Sequence, residues 1–390
     1  MTEFVFQKSL YLEPTIDTPY HFVVVGAGGT GGYLVPHLVR QIGLLNERIP
    51  ASRRPTSRNN KHSITLVDGD EVEQKNLVRQ NFTQRDLGKN KAEVLANRYG
   101  KAFNVSVGAI PEFIESPSHF AHLIQQSVQA TRPGEDNIYS EERGQDDFSK
   151  GFIYSRYLSI VLIDCTDNNK TRLIIETVGK QLRSDDKLHY LISSGNEEKN
   201  GQVVFSALNS EDEQPLFREF KRLNASSSYN RLLNFTSTPT FFDIFPNSPL
   251  DKLPTELSCA EAAESAPQNI GANMNAANII FDFCNKLLNY QRINEFLIFF
   301  DIQSMNHTPF RFTESDLTKA LNFVPNNQSL KHHLNIEVEN PVSAPYYNDK
   351  GHLVLNLERV LVTPDGETPS EEVEETKDLD LRGIFDDLFD

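Results

Sequence analysis

Tryptophan is absent from the 390 residues, and methionine and cysteine occur three times each. Cys165, Cys259 and Cys284 form no CxxC pair, which argues against a disulfide framework and a cysteine-rich zinc site. Long apolar runs are missing as well. None approaches the ~20 residues needed to cross a bilayer, so no membrane partner is expected. Met1–Leu10 carries Glu3 and only Lys8 as a base, which predicts no secretory signal and a cytoplasmic protein. Bases are also scarce: 38 Lys and Arg face 54 Asp and Glu, for a net charge of −16. A main partner of nucleic acid is therefore not expected, because phosphate binding needs a basic surface. The acidity is uneven. Thr363–Asp390 holds eleven acids and two bases, a net of −9, leaving −7 to the body of the chain. Arg48–Lys61 is the basic exception, and reads as a solvated loop or a binding surface.

With 38% hydrophobic residues the chain can still bury a sizeable core. Its organising stretch is Phe22–Gly32, FVVVGAGGTGG. Phe22 to Val25 read as a buried parallel strand. Gly26, Gly28, Gly29 and Gly31 then allow a tight turn and a close approach of the backbone to a ligand. Leu34, Leu38, Ile42 and Leu45 follow at near-helical spacing, so the turn opens onto a helix N-terminus. The free N–H groups and positive dipole end there favour phosphate. Strand, glycine turn and helix together point to a nucleotide. Pro36 lies inside that first helix and should shorten or kink it.

Along the chain, residues 1–20 read as an arm and Ser63–Val67 as the second strand, with Asp68 at its carboxyl end. Lys91–Tyr99 looks helical and Asn104–Ile110 extended. Residues 131–150 are polar and read as an inserted loop. Ser159–Asp164 is the next buried strand, followed by a helix through Leu182. His189–Ser193 and Gln202–Leu208 are further strands. The proline-containing stretch 209–257 reads as a crossover over the nucleotide site. Asn269–Leu288 is a helix, Phe296–Ile302 a strand, and 334–362 a few edge strands. The acidic end 363–390 is expected to be a disordered tail, its last dozen residues carrying Leu381, Phe385, Leu388 and Phe389 at helical spacing.

Several short motifs follow the glycine turn in order: Asn76-Leu77-Val78-Arg79-Gln80, Gly88-Lys89-Asn90-Lys91-Ala92, Asp164-Cys165-Thr166-Asp167-Asn168 with Arg172, and Ser258-Cys259-Ala260-Glu261. This ordered set resembles the ThiF/HesA/MoeB adenylyltransferase family, the bacterial relatives of ubiquitin-activating enzymes. The resemblance covers Phe22 to about Leu288, with gaps at 49–61, 117–158 and 209–256. The crossover ending in Ser258-Cys259 and the stretch Phe300–Thr313 look most like the ThiF-type protein of PRTRC gene clusters.

The resemblance implies an α/β, Rossmann-like fold, with a mostly parallel twisted sheet and helices on both faces. An adenylation domain would span 21–320, with insertions at 117–158 and 209–256 and a C-terminal extension at 321–362. It implies an enzyme that joins the C-terminal carboxylate of a small ubiquitin-like or sulfur-carrier protein, ending in Gly-Gly, to AMP. ATP and Mg2+ would be the cofactors and a homodimer the assembly. Arg79 and Lys91 match the family's phosphate-binding bases, Asp167 its magnesium ligand and Asp68 its ribose acceptor. Asn76 would position the triphosphate, the glycines and Asn168 would hold the nucleotide, and Cys259 aligns with a cysteine that some members use to carry acyl or sulfur.

Each residue also has a plainer reading. Arg79 fits a surface ion pair, Lys91 an exposed helix start, Asp68 a turn cap, Asp167-Asn168 a helix cap and Cys259 a buried thiol. Cys165 reads as a small buried residue and Cys284 as core. Three departures from the family stand out: no arginine precedes Arg40, no CxxC pair is present, and Pro36 interrupts the first helix. Two other functions remain open here. A nicotinamide-dependent oxidoreductase would use the glycines and Asp68, although Asp68 lies 37 residues after Gly31, against the ~20 of the dinucleotide fingerprint. An inert scaffold would keep only the fold.

Overall fold

A computed structural model describes residues 14, 18–48, 61–132, 138–141, 152–155, 158–183, 188–208, 238–256, 269–312, 316, 320, 346–347 and 353–354. The chain begins β1 (Tyr20–Val25), α1 (Gly29–Arg48), β2 (Ser63–Val67), α2 (Lys91–Phe103), β3 (Val107–Ile110) and α3 (Pro117–Thr131). It continues with β4 (Ile138–Glu141), β5 (Phe152–Ser155), β6 (Ser159–Asp164), α4 (Asn169–Gly179), β7 (Leu182–Arg183), β8 (His189–Asn196) and β9 (Asn200–Leu208). A short α5 (Phe241–Ile244), the long α6 (Ile270–Leu288), β10 (Glu295–Asp301) and β11 (Asn306–Arg311) follow. Two-residue strands β12 (Tyr346–Tyr347) and β13 (Leu353–Val354) come last.

The main sheet has eight strands in the order β11-β10-β9-β8-β6-β1-β2-β3. From β3 to β8 all neighbours are parallel, while β9, β10 and β11 add antiparallel at one side. This is a Rossmann-like sheet, and its strand order reverses at β1. The chain runs outward from β1 to β2 and β3 and then crosses back to β6 on the other side of β1, leaving a crevice at the carboxyl ends of β1 and β6.

Every residue of β1 is buried, because both faces of the sheet are covered, so its sequence shows no polar–apolar alternation. Phe22 and Val24 pack into one core with Leu34 and Leu38 of α1, Leu95 of α2 and Phe283 of α6. Val23 and Val25 face the opposite core with Phe120 and Ile124 of α3 and Ile175 and Val178 of α4. Each such side chain contributes about 1.5–3 kcal/mol on burial, so β1 is clamped from both sides. Cys284 is buried in the first core, as expected. No helix among the described residues is long and apolar enough to cross a membrane.

Three expectations need correction. Pro117–Thr131, the first part of the stretch set aside as an insertion, is the helix α3, opened by Ser116 (its side chain accepts from the His119 N–H) with proline in the first turn. It supplies the second core, so it belongs to the sheet's helical layer. Strands β12 and β13 pair with each other and not with the main sheet. Finally, α1 runs from Gly29 to Arg48 without ending at Pro36. A proline at 36 cannot bond the Gly32 carbonyl four residues back. Asn81 supplies the missing donor: its Nδ2 lies 3.0 Å from the Gly32 oxygen and 2.7 Å from the Tyr99 hydroxyl. The expected tail, the arm up to residue 13, and Cys259 lie outside the described residues.

This substitution of a side-chain donor for a backbone one is testable. Asn81→Ala should destabilise the chain by about 1–3 kcal/mol, the cost of a buried carbonyl left unpaired. In a Pro36→Ala background, which restores the backbone N–H, the same substitution should cost clearly less. Urea denaturation of the four proteins in this cycle measures the difference, and equal costs in both backgrounds would sink the explanation.

Candidate functional site

The turn from β1 into α1 works because two positions have no side chain. Gly26 has φ of +90°, and a Cβ there would lie 2.8 Å from the Cys165 carbonyl oxygen. A Cβ on Gly31 would lie 1.9 Å from the Gly26 carbonyl oxygen. The Gly26 N–H donates to the Val67 carbonyl at 2.9 Å, and the Cys165 N–H to the Val25 carbonyl at 2.9 Å. The ends of β1, β2 and β6 are thus tied into one edge. The first turn of α1 contains no acidic residue, and its leading N–H groups have no acceptor within the helix. The edge therefore presents a positive dipole end to the crevice.

Asp68 leaves β2 at that edge. Its Oδ2 accepts from the Ala27 N–H at 2.6 Å and its Oδ1 from the Asp70 N–H at 2.8 Å. Burial pushes the carboxyl up to about 6, opposed by Lys91 and reinforced by Asp70. Asn90 holds this loop through bonds from its Nδ2 to the Asp68 and Asp70 carbonyls, while its Oδ1 caps α2. Lys91, the first residue of α2, places Nζ 2.7 Å from Asp70 Oδ2. Its side chain is 8% exposed and that of Asp70 is 52% exposed, so the pair reaches solvent through the carboxylate.

Asn76 is buried, and its Oδ1 accepts from the Glu73 N–H at 2.7 Å. Its carbonyl accepts from the N–H groups of Arg79 and Gln80. Asn76 therefore shapes the turn that carries Arg79, which is half-buried. Gln80 extends from the same turn onto Gly28, with its Nε2 3.5 Å from the place a Cβ would occupy. Its Oε1 is buried with no hydrogen-bond partner among the described residues.

On the β6 side, Asp164 is fully buried and bonded by Arg172 Nε at 2.7 Å. Arg172 also donates to the carbonyls of Thr166 and Ser194, and its guanidinium lies 4.4 Å from the centre of the Phe241 ring. This buried ion pair fixes the loop that presents Asp167, which is exposed. Asn168 is the N-cap of α4: its Oδ1 accepts from the Thr171 N–H at 2.8 Å, and its Nδ2 donates to the Lys252 carbonyl at 2.5 Å. Both ends of its amide are thus engaged, which is the plainer reading of this residue. Cys165 is half-buried; burial, then the Asp164 charge, pushes its thiol well up, so it stays protonated. It is a packing residue beside the turn.

The structure thus gathers the four glycines, Asp68, Asn76, Arg79, Lys91, Asp167 and Asn168 at the carboxyl edge of the parallel strands. A cavity of about 450 Å³ lies at the opposite edge, lined by residues such as Asn46, His62, Ser63 and Asn104. None of the expected site residues lines it. Sequence reasoning missed Gln80, quoted only as part of a motif, and Asn196 and Asn273, which meet beside the turn.

The sequence model of the ThiF family matches residues 18–317. No curated protein matches the chain. Among solved structures, PaaA is similar, with 17% identity over 75% of this chain and 64% of its own, and a TM-score of 0.37. Escherichia coli MccB, solved with ATP, shows 16% identity over 75% of this chain and 64% of its own, with a TM-score of 0.37. The same enzyme solved with AMPCPP and MccA gives 15% identity and a TM-score of 0.38. The chain thus spans just under two thirds of these proteins.

The shifted Asp68 carboxyl makes a signed prediction. A folded carboxyl at about 6, against the ordinary 3.8, holds a proton that the unfolded chain releases. Stability should therefore fall as pH rises from about 4 to 6 and flatten above 7. Asp68→Asn has no proton to lose, so its stability relative to wild type should climb across that window. Urea midpoints at fixed ionic strength test this, and parallel pH profiles for the two proteins would remove Asp68 as the responsible group.

Proposed function

This chain belongs to the ThiF family, and on that premise we propose that it is an ATP-dependent adenylyltransferase. Its acceptor is the C-terminal carboxylate of a small ubiquitin-like or sulfur-carrier protein ending in Gly-Gly. The observation that carries this reading is the convergence of one helix N-terminus, Asp68, the Arg79 turn, Lys91 and Asp167 on one sheet edge. Hydride transfer has no shared use for Arg79, Lys91 and Asp167, so the oxidoreductase reading is set aside.

A carboxylate oxygen of the carrier attacks the α-phosphorus of ATP. The new P–O bond replaces the bond to the β-phosphate oxygen, and pyrophosphate leaves. Both reactants are anionic, so alignment and positive charge lower the barrier. The glycine turn lets the backbone approach the phosphates, with the α1 dipole behind it. Asp68, ionised above about pH 6, accepts from the ribose hydroxyls. Arg79 and Lys91 face the charge that builds on the α-phosphate and on departing pyrophosphate. Lys91 exchanges Asp70 for phosphate as the nucleotide binds.

Asp167 is the residue that would hold Mg2+. Among the described residues no cluster of three His, Cys, Asp or Glu forms a complete cage. One exposed carboxylate suits Mg2+, which keeps several waters and takes its other ligands from substrate phosphates. When bound, the ion neutralises phosphate charge. Cys259 is proposed as the acceptor of a second step, in which its thiolate attacks the acyl carbon and AMP leaves. A homodimer is the proposed assembly.

Magnesium-dependent exchange of pyrophosphate into ATP, in the presence of the cognate carrier, tests the first step. Lys91→Ala should slow exchange by at least ~100-fold, the scale of one preorganised charge contact. NAD titrated beside ATP should show no binding. Unchanged exchange in Lys91→Ala would take that residue out of the chemistry. Cys259→Ser should still form acyl-adenylate but lose any thiol-sensitive adduct, and an adduct that persists would rule out the second step at this residue.

A further inference from the structure

Asn273 lies in the first turn of α6 and is 1% exposed, yet its Nδ2 has no hydrogen-bond partner among the described residues. Its oxygen is fully engaged. Asn196 Nδ2, at the end of β8, lies 2.7 Å from Asn273 Oδ1, and Thr30 Oγ1, in the first turn of α1, lies 3.4 Å from it. The short bond from Asn196 orients the amide and turns its nitrogen toward the glycine turn, and the Thr30 hydroxyl, 3.5 Å from Asn196 Oδ1, adds a longer contact to this pair. The nitrogen stands 2.3 Å from the place a Cβ on Gly29 would occupy. Any side chain at 29 would displace it, so this glycine makes room for the amide.

Capping α6 does not explain the residue. Asn269 already does that, with Oδ1 2.7 Å from the Gly271 N–H. Packing alone would be served by an apolar side chain, without a buried donor that lacks an acceptor. The amino ends of α1 and α6 meet at this point, and their dipoles add positive potential. An oriented N–H donor, buried between two positive helix ends at the edge that carries the nucleotide residues, suits an oxyanion.

We propose that Asn273 is a phosphate-binding residue, whose Nδ2 donates to the α-phosphate of a nucleotide at the amino end of α1. Asn196 and Thr30 are its positioning residues. This deepens the adenylyltransferase reading and rests on it. The α-phosphate is the reacting centre of that chemistry, and a donor reaching it from α6 adds a contact from the far side of the turn to those from Arg79 and Lys91.

The test uses the full chain and two probes, AMP and adenosine, titrated calorimetrically; their affinity ratio isolates the α-phosphate. Asn273→Asp keeps the acceptor for Asn196 and Thr30, removes the N–H donor and adds a negative charge. It should lower the AMP-to-adenosine affinity ratio by about 10- to 100-fold, the loss of one charge-assisted hydrogen bond, while adenosine affinity stays at the wild-type value. Asn273→Ala should lower the ratio in the same direction without adding charge. If adenosine binds normally and the ratio is unchanged in both variants, the proposal is overturned while the nucleotide reading stands. Wild-type protein that binds neither probe overturns both.

Discussion

Everything at the candidate site depends on how closely Gly31 passes the Gly26 carbonyl oxygen, where a Cβ would sit 1.9 Å away. No side chain fits there, so α1 can start hard against the end of β1. That contact brings the helix dipole to the crevice where the strand order reverses. The missing side chain at Gly26 likewise lets the Cys165 carbonyl oxygen come within 2.8 Å of the place a Cβ would occupy. A single methyl group at either position would push apart the strand ends that hold Asp68 and Asp167 in one crevice. The fold thus spends its tightest backbone packing at the place where chemistry is proposed.

Two ion pairs flank this turn, and their burial assigns them different work. The Asp164 and Arg172 side chains are 0% and 5% exposed, and the pair is joined by further bonds to two carbonyls. Removing one partner of such a pair costs about 3–5 kcal/mol, because the other charge is stranded in the interior. It is a fixed brace for the loop before α4. Lys91 and Asp70 form the other pair, and Asp70 is half exposed. A pair open to water on one side is worth about 0–1 kcal/mol. Lys91 can therefore leave Asp70 for a phosphate at little cost, whereas Arg172 cannot leave Asp164. Geometry alone would make both arginine and lysine look like phosphate ligands; burial separates them.

What the sequence reveals of this site follows from how local each feature is. A strand buried on both faces, a glycine cluster and a helix are contiguous, so β1, the turn and α1 are readable at once. Asp68, Arg79 and Lys91 are readable as candidates because each sits in a short motif of its own. Asn273 shows no such signal: its meaning comes from Thr30 and Asn196, which lie 243 and 77 residues away along the chain. Asn81 was missed for the same reason, since only the fold places it against the carbonyl that Pro36 leaves open. The helix α3 was hidden by its polar neighbours, because a family resemblance that skips 117–158 draws attention away from the apolar spacing of Phe120, Ile124 and Val128.

The segment at 238–256 is held beside the crevice by polar contacts as well as by its buried Phe241, Ile244 and Leu253. Glu176 is 2% exposed on α4, and it is bonded by the Thr240 hydroxyl at 2.6 Å, the Phe242 N–H at 3.0 Å and Lys180 at 2.8 Å. A buried carboxylate with three donors is fully satisfied, so it anchors the segment where an unpaired one would expel it. At the other end of α4, Asn168 holds the Lys252 carbonyl and Asn169 the Pro249 carbonyl. The segment is thus fastened at both ends of one helix. The second fastening lies next to Asp167, so access to that carboxylate is bounded on one side by residues 249–252.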